Sequence, residues 1–384
     1  MDYPYGTPVA ATPPLGPLSM PLVRATTHAV ETADDVGAFT SGVRHGEFYP
    51  RMGHSNGRAF ESAVAAREGA DGAVAFASGM AAMHAAVLGH LRAGDRVLVA
   101  EHVYGGTAAM CRDDLPRFGI QVDRFNALQL ETLESALAEP ARMVVMETPI
   151  NPTLRVVDLV AATELCRAQG AMTVVDGTFG PPPIQRALAH GVDLVVHSAT
   201  KFFGGHSDVM AGVVAGSHVH LGPVAAFRTR TGAVLAADAA WLLCRSLPTM
   251  DLRLEAQQAS ALEVAEGLAG LAGISALSHP SLPSHPDHDL AKRQMRGGPG
   301  LVTLTVEGGL TAAQRVFERL QVVARAPSLG GVESVASLPC LTTHAGVDDA
   351  ERQRAEIDGG MIRISIGLEG SAAILADLQQ ALRD

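Results

Sequence analysis

Cysteine is scarce: the chain of 384 residues has four, Cys111, Cys166, Cys244 and Cys340, scattered and without Cys-x-x-Cys spacing. That pattern offers neither a zinc site nor a disulfide framework, and it suits a reducing cytoplasm. An excess of positive charge is also lacking. A formal net charge of −11 repels phosphate backbones and argues against nucleic acid as a partner. The opening Met1-Asp2-Tyr3-Pro4-Tyr5 has neither a basic start nor a continuous apolar core, so no secretory leader is expected. No apolar run is long enough to span a bilayer, no basic amphipathic stretch suggests a membrane surface, and no internal repeat is present. The His-rich stretch from His279 to His288 is punctuated by proline and reads as a structural loop rather than a metal site.

What is present is apolar: 47% of residues are hydrophobic and only 18% charged, which suits buried sheets and extensive subunit contacts. Three zones are visible. Residues 1–56 are rich in Pro, Gly and Thr and read as an arm that wraps a neighbouring subunit. Across residues 57–248, short apolar runs at 73–77, 96–100, 122–125, 143–147, 172–176 and 193–197 alternate with helical stretches, including one from Ser78 to about Leu91. This alternation predicts an α/β domain with a mainly parallel sheet, helices on both faces and a ligand crevice at the carboxyl ends of the strands. Residues 249–384 begin with a helical stretch, Asp251 to Leu271, and read as a smaller α+β domain with strands near 301–306 and 361–366.

Four polar signals fall at those strand ends. Lys201 follows Asp193-Leu194-Val195-Val196 within His197-Ser198-Ala199-Thr200-Lys201, so a lysine flanked by two hydroxyls stands just past a buried strand. Such a lysine can form an imine with a cofactor whose phosphate the hydroxyls bind, or it can be a surface lysine. Asp176 ends Met172-Thr173-Val174-Val175 and is followed by Gly177-Thr178. An acid there can hold a pyridinium nitrogen protonated, or cap the next helix. Ser78-Gly79-Met80 opens a helix whose free N–H groups and dipole suit a phosphate, although Ser78 is equally an ordinary helix cap. Tyr104, beside Gly105 and Gly106, can lay its ring on a flat cofactor or be a structural tyrosine. Strand, acid, crossover, strand and Ser-x-Thr-Lys is the order expected of a pyridoxal phosphate (PLP) site.

These segments, together with Tyr49-Pro50-Arg51, Glu147-Thr148-Pro149-Ile150-Asn151-Pro152, Gly205-His206-Ser207-Asp208, Leu282-Pro283-Ser284-His285-Pro286, Ser328-Leu329-Gly330-Gly331-Val332-Glu333-Ser334, Thr343-His344 and Ile362-Arg363-Ile364-Ser365, resemble the PLP-dependent trans-sulfuration family of cystathionine γ-lyase and γ-synthase. The resemblance covers nearly the whole chain. It implies the aspartate-aminotransferase-like fold (fold type I), pyridoxal 5'-phosphate as cofactor, an amino-acid substrate, and a homodimer or homotetramer. It implies that Lys201 carries the cofactor and moves protons, that Asp176 holds the ring nitrogen, and that Tyr104 stacks on the ring. Gly79, Met80, Thr178, Ser198 and Thr200 are implied cofactor contacts, with Tyr49 and Arg51 reaching in from a second subunit and Asn151 near the ring hydroxyl. Arg363 is the implied clamp for the substrate carboxylate, with Ser334 and Tyr49 on the substrate side.

The sequence also departs from the family pattern. His54-Ser55-Asn56 stands where relatives carry Asn-Pro-Thr, Gly177 where an Asn is usual, Phe202 where a Tyr is usual, and Gly106 where methionine γ-lyases have a cysteine. The changes beside Arg51 are either drift or the mark of a specialised enzyme whose γ-leaving group need not be sulfur. The expected reaction is γ-elimination or γ-replacement. The alternatives are β-elimination, transamination, or a non-catalytic PLP-binding protein.

Overall fold

A computed structural model describes residues 18–43, 46–343, 345, 352 and 354–383. Its larger sheet has seven strands: β1 (Gly72–Phe76), β2 (Arg96–Ala100), β3 (Gln121–Phe125), β4 (Met143–Glu147), β5 (Met172–Asp176), β6 (Leu194–His197) and β7 (Gly212–Gly216), in the order β1-β7-β6-β5-β4-β2-β3. Strands β2 to β6 pair in parallel, and β7 runs antiparallel to both β1 and β6. The central strands are buried on both faces, as helix-covered parallel strands must be; β4 and β6 have no exposed residue. Edge strand β3 alternates, with Gln121 and Asp123 facing solvent.

Strand β7 was not expected from the sequence. Its run is bracketed by glycines, and both are there because backbone passes close by. A Cβ at Gly212 would fall 2.1 Å from the Ser78 carbonyl oxygen, and one at Gly216 2.6 Å from that of Asp193.

Two helices precede the first strand of this sheet in the chain. Helix α1 (Ala33–Thr40) is closed by a Thr32/Asp35 capping box. Helix α2 (Ser55–Glu68) runs across the expected boundary at 56 and is capped by His54, whose Nδ1 accepts the Gly57 N–H at 3.1 Å while Nε2 bonds the Leu235 carbonyl. Helix α3 (Gly79–Leu88) stops short of the expected Leu91, and Ser78 Oγ caps it by accepting the Ala81 N–H.

The C-terminal region builds on the Met250–Leu268 helix and a second sheet, ordered β10-β11-β12-β9-β8. Its strands are β8 (Ile274–Ser278), β9 (Leu301–Val306), β10 (Ala324–Arg325), β11 (Val335–Ser337) and β12 (Met361–Ser365), antiparallel except for β10 with β11. Each sheet has its own apolar core. In the His-rich loop, His279 Nδ1 accepts from Ser281 N and His285 Nδ1 from Asp287 N, so these rings act as turn acceptors. Among the described residues no helix is long and apolar enough to cross a membrane.

Candidate active site

The carboxyl ends of β1, β4, β5 and β6 open into one cavity of about 810 Å³, with Ser78, Glu147, Asp176 and Ser198 on its walls. The C-terminal domain closes it with Ser328, Leu329 and Arg363. Nine residues singled out above meet there: Gly79, Met80, Tyr104, Asn151, Asp176, Thr178, Ser198, Thr200 and Lys201, joined by Arg363.

Lys201 sits in the turn after β6, where its N–H donates to the Ser198 carbonyl and its own carbonyl accepts from Gly205. Its Nζ donates to Ser328 Oγ at 2.7 Å. Burial, aided by the positive charge of Arg363, brings the ammonium down to about 8. An amine in that range is unprotonated in about a tenth of molecules at pH 7, far more than an ordinary lysine, and can serve as nucleophile and base.

Beneath it lie two carboxylates. Glu147 and Asp176 are opposite each other on β4 and β5. Burial raises the Asp176 carboxyl, opposed by its hydrogen bond from Thr178 N and by the charge of His197. Burial and the neighbouring Asp176 push Glu147 well above the usual carboxylate range. The Glu147 oxygens accept the backbone N–H groups of Tyr104 (2.6 Å) and Asn151 (2.8 Å), and so fix the two loops that carry those side chains. The only hint of this in the sequence was an acid closing an otherwise apolar strand.

Arg363 crosses from β12 into this floor. Its Nη1 donates to Asn151 Oδ1 and its Nη2 to the Ser328 carbonyl, both at 2.8 Å, while its buried Nε has no partner. Burial lowers it to about 10 despite Glu147, which leaves it a cation. Ser328, at φ +86°, thus touches both Lys201 and Arg363, and the sequence assigned it no role although it opens the Ser328-Leu329-Gly330-Gly331 motif.

Three expected residues lie elsewhere. Ser334 is fully buried with its N–H and hydroxyl on the Glu369 carboxylate, and it accepts from Gly367 N; it ties loops of the C-terminal domain together and does not line the cavity. Tyr49 and Arg51 form an exposed pair outside the cavity of their own chain, with the guanidinium carbon 5.4 Å from the ring centroid. The substituted His54 is the cap of α2 and likewise lies outside that cavity. His344 lies outside the described residues.

The family model for Cys/Met metabolism PLP-dependent enzymes matches residues 10–383. The chain belongs to this family. It is 36% identical to L-methionine gamma-lyase of Pseudomonas putida over 96% of this chain and 93% of the relative. It is 39% identical to cystathionine beta-lyase of Lactococcus lactis subsp. cremoris over 87% of this chain and 88% of the relative. The solved structure of cystathionine gamma synthase from Xanthomonas oryzae pv. oryzae, in complex with aminoacrylate and cysteine, superposes with a TM-score of 0.90 at 32% identity, over 95% of this chain and 92% of that one. The fold is therefore fold type I, and the protein is a PLP-dependent enzyme of trans-sulfuration chemistry.

The residues present fit that cofactor. The first turn of α3 offers N–H groups that the helix cannot satisfy, and it packs so tightly on the loop after β6 that a Cβ at Gly79 would fall 2.8 Å from Ser198 Cβ. Ser198 lines the cavity beside it, whereas the Thr200 hydroxyl is engaged with the Ala211 backbone. Asp176 supplies a buried acid for a ring nitrogen, and Lys201 an amine of the right basicity.

Proposed function

We propose that this enzyme acts on an L-amino acid carrying a leaving group on its γ carbon, by elimination or replacement. Cystathionine and O-acylhomoserines represent the substrate class, and the leaving group need not be sulfur. The observation that carries this reading is the cavity itself. It places a cation with an unsatisfied Nε, Arg363, near the Lys201 amine and leaves room beyond them for an extended side chain against Met83, Met210, Pro327 and Leu329.

PLP, when bound, delocalises the charge left when the substrate loses its Cα proton. The chain supplies the rest. Asp176 would hold the ring nitrogen, Tyr104 would cover the ring, and Gly79, Met80, Thr178, Ser198 and Thr200 would surround the phosphate. Arg363 fixes the substrate carboxylate through Nε and a free Nη hydrogen, with Asn151 and Ser328 holding the guanidinium plane. Lys201 Nζ takes the Cα proton and, for γ chemistry, moves a second one from Cβ. Tyr49 and Arg51, exposed and outside their own cavity, complete the phosphate site of a second copy, which makes a dimer the smallest active unit.

A β-elimination reading also has support, from the similarity to the L. lactis cystathionine beta-lyase. Mass spectrometry of the products from L-cystathionine decides between them. We expect 2-oxobutyrate and cysteine; pyruvate and homocysteine would establish β cleavage. The Lys201 amine sets a second expectation. Because only the free amine attacks the cofactor's aldehyde, PLP uptake by the apo-protein should accelerate by about tenfold per pH unit below the Lys201 value of about 8 and level off above it. Stopped-flow absorbance reads this directly, and a flat profile on the acid side contradicts it.

A further inference from the structure

Behind the floor of the cavity lies a buried pair that the reaction above does not use. His197, the last residue of β6, and Glu68, the last of α2, are 1% and 2% exposed. His197 Nε2 lies 2.5 Å from Glu68 Oε1. A carboxylate and an imidazole removed from water cost stability unless each compensates the other, so the arrangement asks for a purpose. Neither lines the cavity, and the second polar atom of each, Glu68 Oε2 and His197 Nδ1, is buried without a partner.

The orientation of the ring supplies that purpose. Its Nε2 points to Glu68, and its Cε1–Nδ1 edge lies against the residue that follows Asp176. A Cβ built on Gly177 would fall 2.8 Å from His197 Cε1 and 3.4 Å from Nδ1, so the absence of a side chain there lets the ring reach the end of β5. Gly177 N is bonded to Val196 O, which locks the two strand ends together, and Phe203 packs 5.2 Å from the imidazole.

On the cavity side, Asp176 faces Glu147, its cross-strand neighbour. Two adjacent buried carboxylates do not both stay charged; one takes a proton. The surrounding cations decide which. Arg363 offsets charge on Glu147, and His197 offsets charge on Asp176. A neutral imidazole would supply no such charge, and the group in contact with its Nε2 is the Glu68 carboxylate.

We propose that Glu68, acting through His197, is a positioning residue for Asp176 that keeps the aspartate in the ionised form able to hold the cofactor's ring nitrogen, leaving the shared proton on Glu147. The inference rests on the placement of Asp176 at that nitrogen. It adds a second layer, reaching the ring nitrogen from α2 through the back of the sheet.

The test compares dissociation constants of the apo-protein for PLP and for its 1-deaza analogue, which has carbon in place of the ring nitrogen. The unaltered protein should prefer PLP. Absence of that preference would remove Asp176 from the nitrogen, and this proposal with it. Glu68→Gln keeps the shape of the pair and removes its charge; it should weaken PLP binding by about tenfold while leaving the analogue's affinity unchanged. Equal weakening of both ligands would reduce the pair to a structural role, and an intact preference would make it a bystander; either result overturns the proposal without touching Asp176. If Glu68→Gln fails to fold, ¹⁵N-histidine NMR of the unaltered protein still decides: a neutral His197 ring at neutral pH refutes the proposal, and a doubly protonated one upholds it.

Discussion

Lys201→Ala should lower turnover by at least about 10³- to 10⁴-fold while the protein still folds and holds PLP weakly. The size follows from the two tasks this one nitrogen carries. As a positioned acid and base it contributes roughly 10²–10⁴-fold, and as the amine that bears the cofactor it contributes separately. The surroundings do not replace it: its hydrogen-bond partner, Ser328 Oγ, is no base at neutral pH. Single-turnover absorbance measurements with saturating PLP check the loss, and turnover near that of the unaltered enzyme would remove Lys201 from the site. The same variant reports on shared sites. Mixed with Arg51→Ala, it should regain about a quarter of full activity, because half of the dimers then carry one intact site from two defective chains. No recovery after subunit exchange would return Arg51 to a surface role.

Much of this site was legible because a parallel sheet concentrates chemistry at one edge. Polar residues that end apolar runs, such as Asp176 and the Ser198-to-Lys201 turn, are brought together by strand direction alone, and they line the cavity as expected. What escaped notice depends on pairings far apart in sequence. Strand β7 is short and bracketed by glycines whose reason is the passing backbone at Ser78 and Asp193, which no local pattern reports. Ser334 and Ser328 share one segment, yet the glutamate that holds Ser334 is Glu369, and it is Ser328 that lines the cavity. The change at His54, beside Arg51, left drift and specialisation equally open; within its own chain it is a helix cap bonded to Leu235. Glu147 carried the faintest mark, since a carboxylate that arranges two loops through their backbone needs no distinctive neighbour in sequence.

Arg363→Leu should reduce kcat/KM by about 100- to 1,000-fold, the roughly 3–4 kcal/mol lost when one partner of a buried charge pair is truncated. Most of the effect belongs in KM, because the carboxylate that Arg363 binds is present in the substrate before reaction begins. A second consequence separates this role from simple damage to the cavity. Arg363 also helps hold Lys201 at about 8, so its removal raises the lysine toward its ordinary value and leaves less free amine at neutral pH. The pH at which cofactor uptake levels off should therefore move upward in Arg363→Leu. In Arg363→Lys the charge survives while the two-pronged donor is lost, so KM should still rise and the uptake profile should stay closer to that of the unaltered enzyme. Equal pH profiles in all three proteins would show that burial alone sets the basicity of Lys201, and an unchanged KM in Arg363→Leu would place the substrate carboxylate elsewhere in the cavity.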